Sequence, residues 1–253
     1  MCPIIQVHDV EGDGNCFYRC LYAIIRNDPL IKKSFSIPVL QDESPEEEEN
    51  NAVQAIRNKV ADAFFVFHDR SKYIIAKTMI QSLIDLLLTM KEDTKEIKNL
   101  QSMYPLVSCV RRTLRKYQNT DVVPVEERKG FLFLTCMNNC ARVIREKPIC
   151  ASSIEIDIVR HILEKHNGVH LAIISDTSIS PREKQERWVH DLRNSLMAHG
   201  IHQKDNMRVA LMINCDNVHY MYASFVKTKN GNPASTLFDN RLLFALLQKR
   251  ATE

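Results

Sequence analysis

Between Val10 and Pro29 the chain reads VEGDGNCFYRCLYAIIRNDP, a glycine-bearing turn that runs without a spacer into a long apolar stretch. This junction constrains the fold more than any other segment. Gly12 and Gly14 leave the main chain uncovered and free to turn, so Glu11 to Asn15 reads as a tight turn. After it Cys16, Cys20 and Ile24 recur at helical spacing beside Phe17, Leu21 and Ile25, while Arg19, Tyr22 and Arg26 share another face. Such a helix must be buried, and Cys16 stands at its mouth. Unpaired N–H groups and the positive end of the macrodipole gather there, and both favour thiolate over thiol. One reading is a nucleophile beside ready-made oxyanion donors; the other is a small buried cysteine at a helix start. The first reading requires a partner base elsewhere in the chain.

Composition narrows the search. The chain has 253 residues, 45% hydrophobic and 26% charged, which suits one large or two small globular domains and excludes a disordered chain. The opening MCPIIQVHDV has no basic region followed by a long apolar run, and MIQSLIDLLLTM is short and carries Asp85, so the reading is a soluble protein, neither secreted nor membrane-spanning. Eight cysteines at irregular spacings include no CxxC pair, which indicates neither a disulfide framework nor a zinc ribbon and points to a reducing, cytoplasmic compartment. Net charge is only +3, without a Lys/Arg block or a glycine-rich phosphate loop. The expectation is therefore no nucleic acid, no membrane, no cofactor and no metal, in a monomer.

Strands are expected at both ends and helices between. Ile4 to Val7 reads as a short strand feeding the turn. QDESPEEEEN (Gln41 to Asn50) reads as an acidic loop leading into a helix over about Ala52 to Phe67, and a second helix covers about Lys72 to Met90. MKEDTKEIKN reads as polar surface. Further helices are expected around Leu106 to Tyr117 and Lys129 to Arg145, although FLFLTCM equally suits a strand. The second half is plainer. In ASSIEIDIVRHILEKHNG, Ser152 and Glu155 form a capping box, Ile154, Ile158 and Ile162 mark a buried face, and Asn167-Gly168 ends the helix. VHLAIIS is a buried strand. The next helix takes Ser180 as N-cap, Pro181 at its first position, Glu183 completing a second box and Gly200 as its stop. MRVALMIN and VHYMYASFV then form a hairpin through Cys215-Asp216-Asn217.

That hairpin supplies a candidate base. Alternation puts Val218, Tyr220 and Tyr222 on one face and His219, Met221 and Ala223 on the other. A histidine at the start of a strand, just after a polar turn, can reach from a sheet rim toward a helix terminus. His161, His166, His190 and His199 fall instead in charged helices, the usual setting of solvated histidines.

GDGNCFYRCL with Cys16, the helix SSIEIDIVRHI followed by VHLAIIS, and the terminal NVHYMYASF resemble, in that order, the landmarks of ovarian-tumour (OTU) domain cysteine proteases. The resemblance implies a papain-like α/β (α+β) fold over residues 1–253, a small central sheet sandwiched by helices, with a thiol at a helix N-terminus and an imidazole on a facing strand. It implies hydrolysis of the isopeptide bond joining ubiquitin, or a ubiquitin-like modifier, to lysine. Cys16 is then the nucleophile and His219 the general base. Asp13 matches the motif aspartate, expected to shape the loop and support the oxyanion hole; an Asp before Gly is also an ordinary turn former. In a viral or bacterial member the compartment is the cytoplasm of a host cell.

Two departures stand out. Many OTU proteases orient the imidazole with an Asp or Asn two residues after the His, and here that position is Met221. Some branches take the acid from just before the cysteine motif, which makes Asp9 the natural candidate; Asn217, or a dyad with no third member, are the alternatives. The chain from Cys16 to Glu155 is also longer than a minimal core requires, which suggests an inserted helical lobe over about Asp42 to Lys147. Such a lobe suits holding the body of a ubiquitin or polyubiquitin chain. The acidic run Glu46 to Glu49 could meet a basic ubiquitin surface or simply be solvated. A catalytically weak ubiquitin-binding module is the non-enzymatic alternative, if Met221 marks a disabled site.

Overall fold

A computed structural model describes residues 4–39, 43–65, 70–89, 105–117, 125–176, 181–202, 206–215, 219–226, 235–239 and 243. In chain order its elements are β1 (Ile4–His8), α1 (Cys16–Ile25), α2 (Pro29–Ser34), α3 (Pro45–Asp62), α4 (Arg70–Thr89), α5 (Pro105–Tyr117), α6 (Val125–Glu146), α7 (Ser153–Asn167), β2 (Val169–Asp176), α8 (Pro181–Ala198), β3 (Arg208–Cys215), β4 (His219–Val226) and β5 (Leu237–Asp239). The fold is mixed α/β. It divides into two compact units, one of Met1–Gly12, Cys16–Ser34 and Ile162–Glu253, the other of Asp13–Asn15 and Phe35–His161.

The first unit carries the sheet, in the order β1-β4-β3-β2, with β5 also paired to β3. The pair β2/β3 is parallel and the other pairs are antiparallel. A parallel pair needs a crossover, and α8 provides it. Side-chain alternation then decides what covers each face. Val209, Leu211 and Ile213 of β3, with Ala172, Ile174 and Ala223, form one cluster with Trp188, Leu192 and Leu196, which recur every fourth residue along α8. From the other parity of β4, Tyr220 meets Phe17 of α1 edge to face at 5.3 Å between ring centroids. The Tyr220 carbonyl also accepts a hydrogen bond from the Cys20 thiol at 3.2 Å. With one face given to α8 and the other to α1, the apolar run after the glycine turn has to be buried, and eight of its ten helical residues are.

The second unit is helical. Ala52, Val53, Ile56 and Val60 of α3, Ile80 and Ile84 of α4, Val110 and Leu114 of α5, and Cys136, Met137, Cys140 and Ile144 of α6 are buried at i, i+3, i+4 spacing. FLFLTCM belongs to α6 and is helical throughout. Of the expected acidic loop, Pro45 to Asn50 are helical instead. Ser44 caps α3, its hydroxyl accepting from the Glu47 N–H at 3.3 Å while the Glu47 carboxylate accepts from the Ser44 N–H at 2.9 Å, and Pro45 sits at the first turn. Glu46, Glu47 and Glu48 therefore occupy the first turn of α3, where they complement the macrodipole. The helix begins seven residues before the expected Ala52. Of the expected Ser152–Glu155 box the carboxylate half is present: Glu155 accepts from the Ser152 N–H at 2.8 Å and from its hydroxyl. Gly168 and Gly200 take φ of +58° and +67° at the ends of α7 and α8.

The short α2 and β5 were not foreseen. Asp28 caps α2, accepting from the Leu30 and Ile31 N–H groups at 3.0 and 3.1 Å, and its other oxygen pairs with Arg208 at 2.5 Å. The expectations for Asp42, Met90 to Asn99, Ser180 and the hairpin turn Asp216 to Val218 fall outside the described residues. The bounds of the helical unit, Asp13–Asn15 and Phe35–His161, are wider than those of the expected 42–147 lobe.

Candidate active site

Cys16 is the first residue of α1 and is 1% exposed. Asn15, directly before it, is of the residue type favoured at an N-cap. His219 is the first residue of β4. The start of β4 meets the start of α1 through residues on either side of Cys16 in the chain. Phe17 packs on Tyr220. On the near side, a Cβ added to Gly12 would stand 3.7 Å from His219 Nδ1 and 3.9 Å from its Cε1. The imidazole thus lies against the turn that delivers the thiol, with Nδ1 on the side of Gly12.

The other ring nitrogen is engaged. His219 Nε2 lies 2.6 Å from Asp9 Oδ1. The hydrogen bond with His219 holds the Asp9 carboxyl below its usual range, helped by the Val10 N–H at 2.9 Å. A carboxylate on Nε2 fixes the proton there in the neutral ring and leaves Nδ1 as an acceptor. How Asp9 reaches this position follows from strand register. β1 pairs with β4 antiparallel from Ile4↔Val226 to His8↔Tyr222. Asp9 directly follows the last paired residue of β1, and Met221 directly precedes the partner Tyr222 in β4. The end of β1 thus brings the Asp9 carboxylate beside the start of β4, while Met221 packs against the cluster shared with α8. Asn217 lies outside the described residues.

Asp13 belongs to a tight loop. Its Oδ1 accepts from the Asn15 N–H at 2.9 Å and its Oδ2 from the Asn15 side-chain amide at 3.1 Å. Gly14, at φ +83°, has no room for a side chain: a Cβ would stand 3.0 Å from the carbonyl carbon and oxygen of Pro148. Asp13 and Gly14 are shaping residues here, as an Asp-Gly turn implies. Sequence reasoning passed over Arg57. It is a cation on the apolar face of α3, between Ile56 and Val60, and only 3% exposed. A lone arginine in a buried stripe was the available signal, because such a charge has to be paired.

Among the described residues no group of three or more His, Cys, Asp or Glu side chains is arranged to hold a metal ion. Nor is any helix long and apolar enough to cross a membrane.

No family model matches the chain, and no curated protein matches it in sequence. Among solved structures it is similar to an OTU deubiquitinase in complex with Ub-PA, at 11% identity and a TM-score of 0.41, over 88% of this chain and 74% of that one. The likeness is distant, and at that level it carries no argument about chemistry.

Proposed function

We propose that the protein is a cysteine isopeptidase that removes ubiquitin from lysine side chains. The observation that carries the proposal is the His219 ring, held at Nε2 by Asp9 and set with Nδ1 against the turn that ends in Cys16. His219 Nδ1 takes the thiol proton as the Cys16 sulfur attacks the carbonyl carbon of the modifier's terminal glycine. Asp9 stabilises the imidazolium so formed. The Cys16 N–H, at the first position of α1, is the available oxyanion donor, and Asp13 shapes the loop before it. Collapse of the tetrahedral intermediate breaks the C–N bond, and His219 returns the proton to the departing lysine amine. Water, activated by the same imidazole, then hydrolyses the thioester and releases a free carboxylate and the thiol.

The chemistry defines an acyl transfer to a thiol; the choice of ubiquitin rests on the resemblance of GDGNCFYRCL and NVHYMYASF to OTU proteases. The helical unit is the candidate for holding the body of the modifier. The first-turn position of Glu46 to Glu48 gives that run a structural explanation and removes the need for a docking role.

The test is a panel of probes with a C-terminal electrophile, built on ubiquitin and on ubiquitin-like modifiers, together with lysine-linked diubiquitin. Adduct with the ubiquitin probe and cleavage of diubiquitin are expected. Adduct with another modifier alone would keep the mechanism and change the substrate. Reversible binding without adduct would make the chain a binding module, and no interaction with any probe would overturn the proposal.

A further inference from the structure

Arg57 is among the least expected buried residues of the helical unit, and its partners are specific. Its Nε donates to the Ile144 carbonyl at 2.7 Å, near the C-terminal end of α6, where helix carbonyls lack intrahelical partners. Its Nη1 donates to Asn15 Oδ1. The Asn15 amide is thereby held at both ends by groups of opposite kind, the guanidinium on its oxygen and Asp13 Oδ2 on its nitrogen. A flipped amide would turn its own N–H donors toward the guanidinium, so only one orientation satisfies both neighbours. Glu155 of the same unit is fully buried, with one oxygen on the Ser152 cap and the other without a hydrogen-bond partner. Burial raises its carboxyl to about 7, and the Arg57 charge is among the influences that lower it. A planar, permanently charged fork is suited to two acceptors in fixed directions, which a lysine cannot match.

We infer that Arg57 is a positioning residue for the proposed isopeptidase: by gripping Asn15 it sets the conformation of the Asp13–Asn15 loop and so the residue on which the Cys16 N–H depends. This rests on the functional reading above. Stability alone gives a weak reason for keeping such a group, since well-packed apolar residues commonly replace a buried charge at no cost. Geometry at the loop gives a stronger one, because a displacement of about 1 Å at a reacting centre costs on the order of 10²-fold in rate.

The experiment combines Arg57→Lys, Asn15→Ala and the double variant in the full chain. Thermal unfolding, hydrogen exchange of the amides from Asp13 to Cys16, and kcat and KM on a ubiquitin–lysine conjugate are measured for each. Arg57→Lys is expected to fold, to lose exchange protection in that loop, and to lower kcat by roughly 10²-fold with KM little changed. The double variant is expected to be no slower than the slower single one, because both remove the same contact. Losses that multiply, an unchanged kcat, or a loss confined to KM would overturn the inference. So would a lysine variant that does not fold, since Arg57 would then be a structural residue of the helical unit. If wild type itself lacks turnover, the functional reading has failed instead, and loop protection alone decides whether Arg57 sets the loop.

Discussion

Two polar groupings among the described residues differ mainly in their access to water. In the sheet unit, Asp9 and His219 meet at 2.6 Å with side chains 74% and 27% exposed. In the helical unit, Arg57 and Glu155 are 3% and 0% exposed. An exposed pair is screened and contributes little to folding, so the role proposed for it is to orient the ring. A buried group carries a desolvation cost that its partners must offset, so its geometry and the stability of the unit are tied together. The first network can be altered without disturbing the fold and reports on chemistry. Changes in the second are felt in both.

The largest expected effect is at the proposed nucleophile and its base. Cys16→Ala should abolish turnover and His219→Ala should lower it by roughly 10²-fold or more, both with little change in thermal stability. Steady-state kinetics beside thermal melts checks this, and a large fall in melting temperature for His219→Ala would break the comparison. Next comes Asp9, the proposed third member of the site. Asp9→Asn should lower kcat by less than His219→Ala does, while Met221→Ala has only a modest packing effect. Because Met221 lies two residues after His219 on the same face of β4, Met221→Asp should partly restore activity to Asp9→Ala. Full activity of Asp9→Asn would remove Asp9 from the mechanism and return the choice to Asn217 or an unassisted dyad.

On the buried side the effects appear as stability. Gly14→Ala forces a side chain into a left-handed conformation, at roughly 1–3 kcal/mol, and against the Pro148 carbonyl. Denaturant unfolding should register the loss, and a neutral result would mean the loop adapts. Glu155 gives a pH signature. Its carboxyl rises from 4.5 to about 7 on folding, so between those values the folded state holds a proton that the unfolded state has released. Stability from this group is fully present below pH 4.5, falls as pH rises, and is lost above about 7, by on the order of 1–3 kcal/mol. Unfolding of wild type and Glu155→Gln across pH 4–8 should show this slope in the first and not the second. The smallest effect is expected at Glu46→Gln, a few tenths of a kcal/mol from the helix dipole, with ubiquitin KM unchanged. A large rise in KM would restore a docking role for the acidic run.

What could be read from sequence follows the range of the forces involved. Local chemistry was legible: the turn at Gly12 and Gly14, the buried helix after it, the Ser152–Glu155 box and the glycine stops at 168 and 200 all depend on residues a few positions apart. The hairpin strands and the placement of His219 at a strand start followed from alternation alone. The acidic run misled because charge density was weighed above Ser44, Pro45 and Glu47, a helix-start signature of the same kind recognised at Ser152. FLFLTCM was ambiguous because a short apolar run fits either period, and packing against other helices decided it. The β1/β4 register could not be read in advance, since it pairs residues over two hundred positions apart. Asp9 was proposed by analogy and Arg57 passed unnoticed for the same reason: each acquires its partner only when distant segments meet.

The most direct test of the central claim is to find which cysteine forms a thioether with an electrophilic ubiquitin probe, by peptide mass spectrometry of the adduct. Among the described residues a competing thiol is Cys109, held below its ordinary range by a hydrogen bond with Cys140 and by the charges of Arg112, Arg142 and Lys147. A reactive thiol with no acyl-transfer machinery would label slowly and without regard to His219. The account requires modification at Cys16 alone, lost in Cys16→Ala and strongly slowed in His219→Ala. Modification at Cys109, or labelling of Cys16 at an equal rate in His219→Ala, would contradict it.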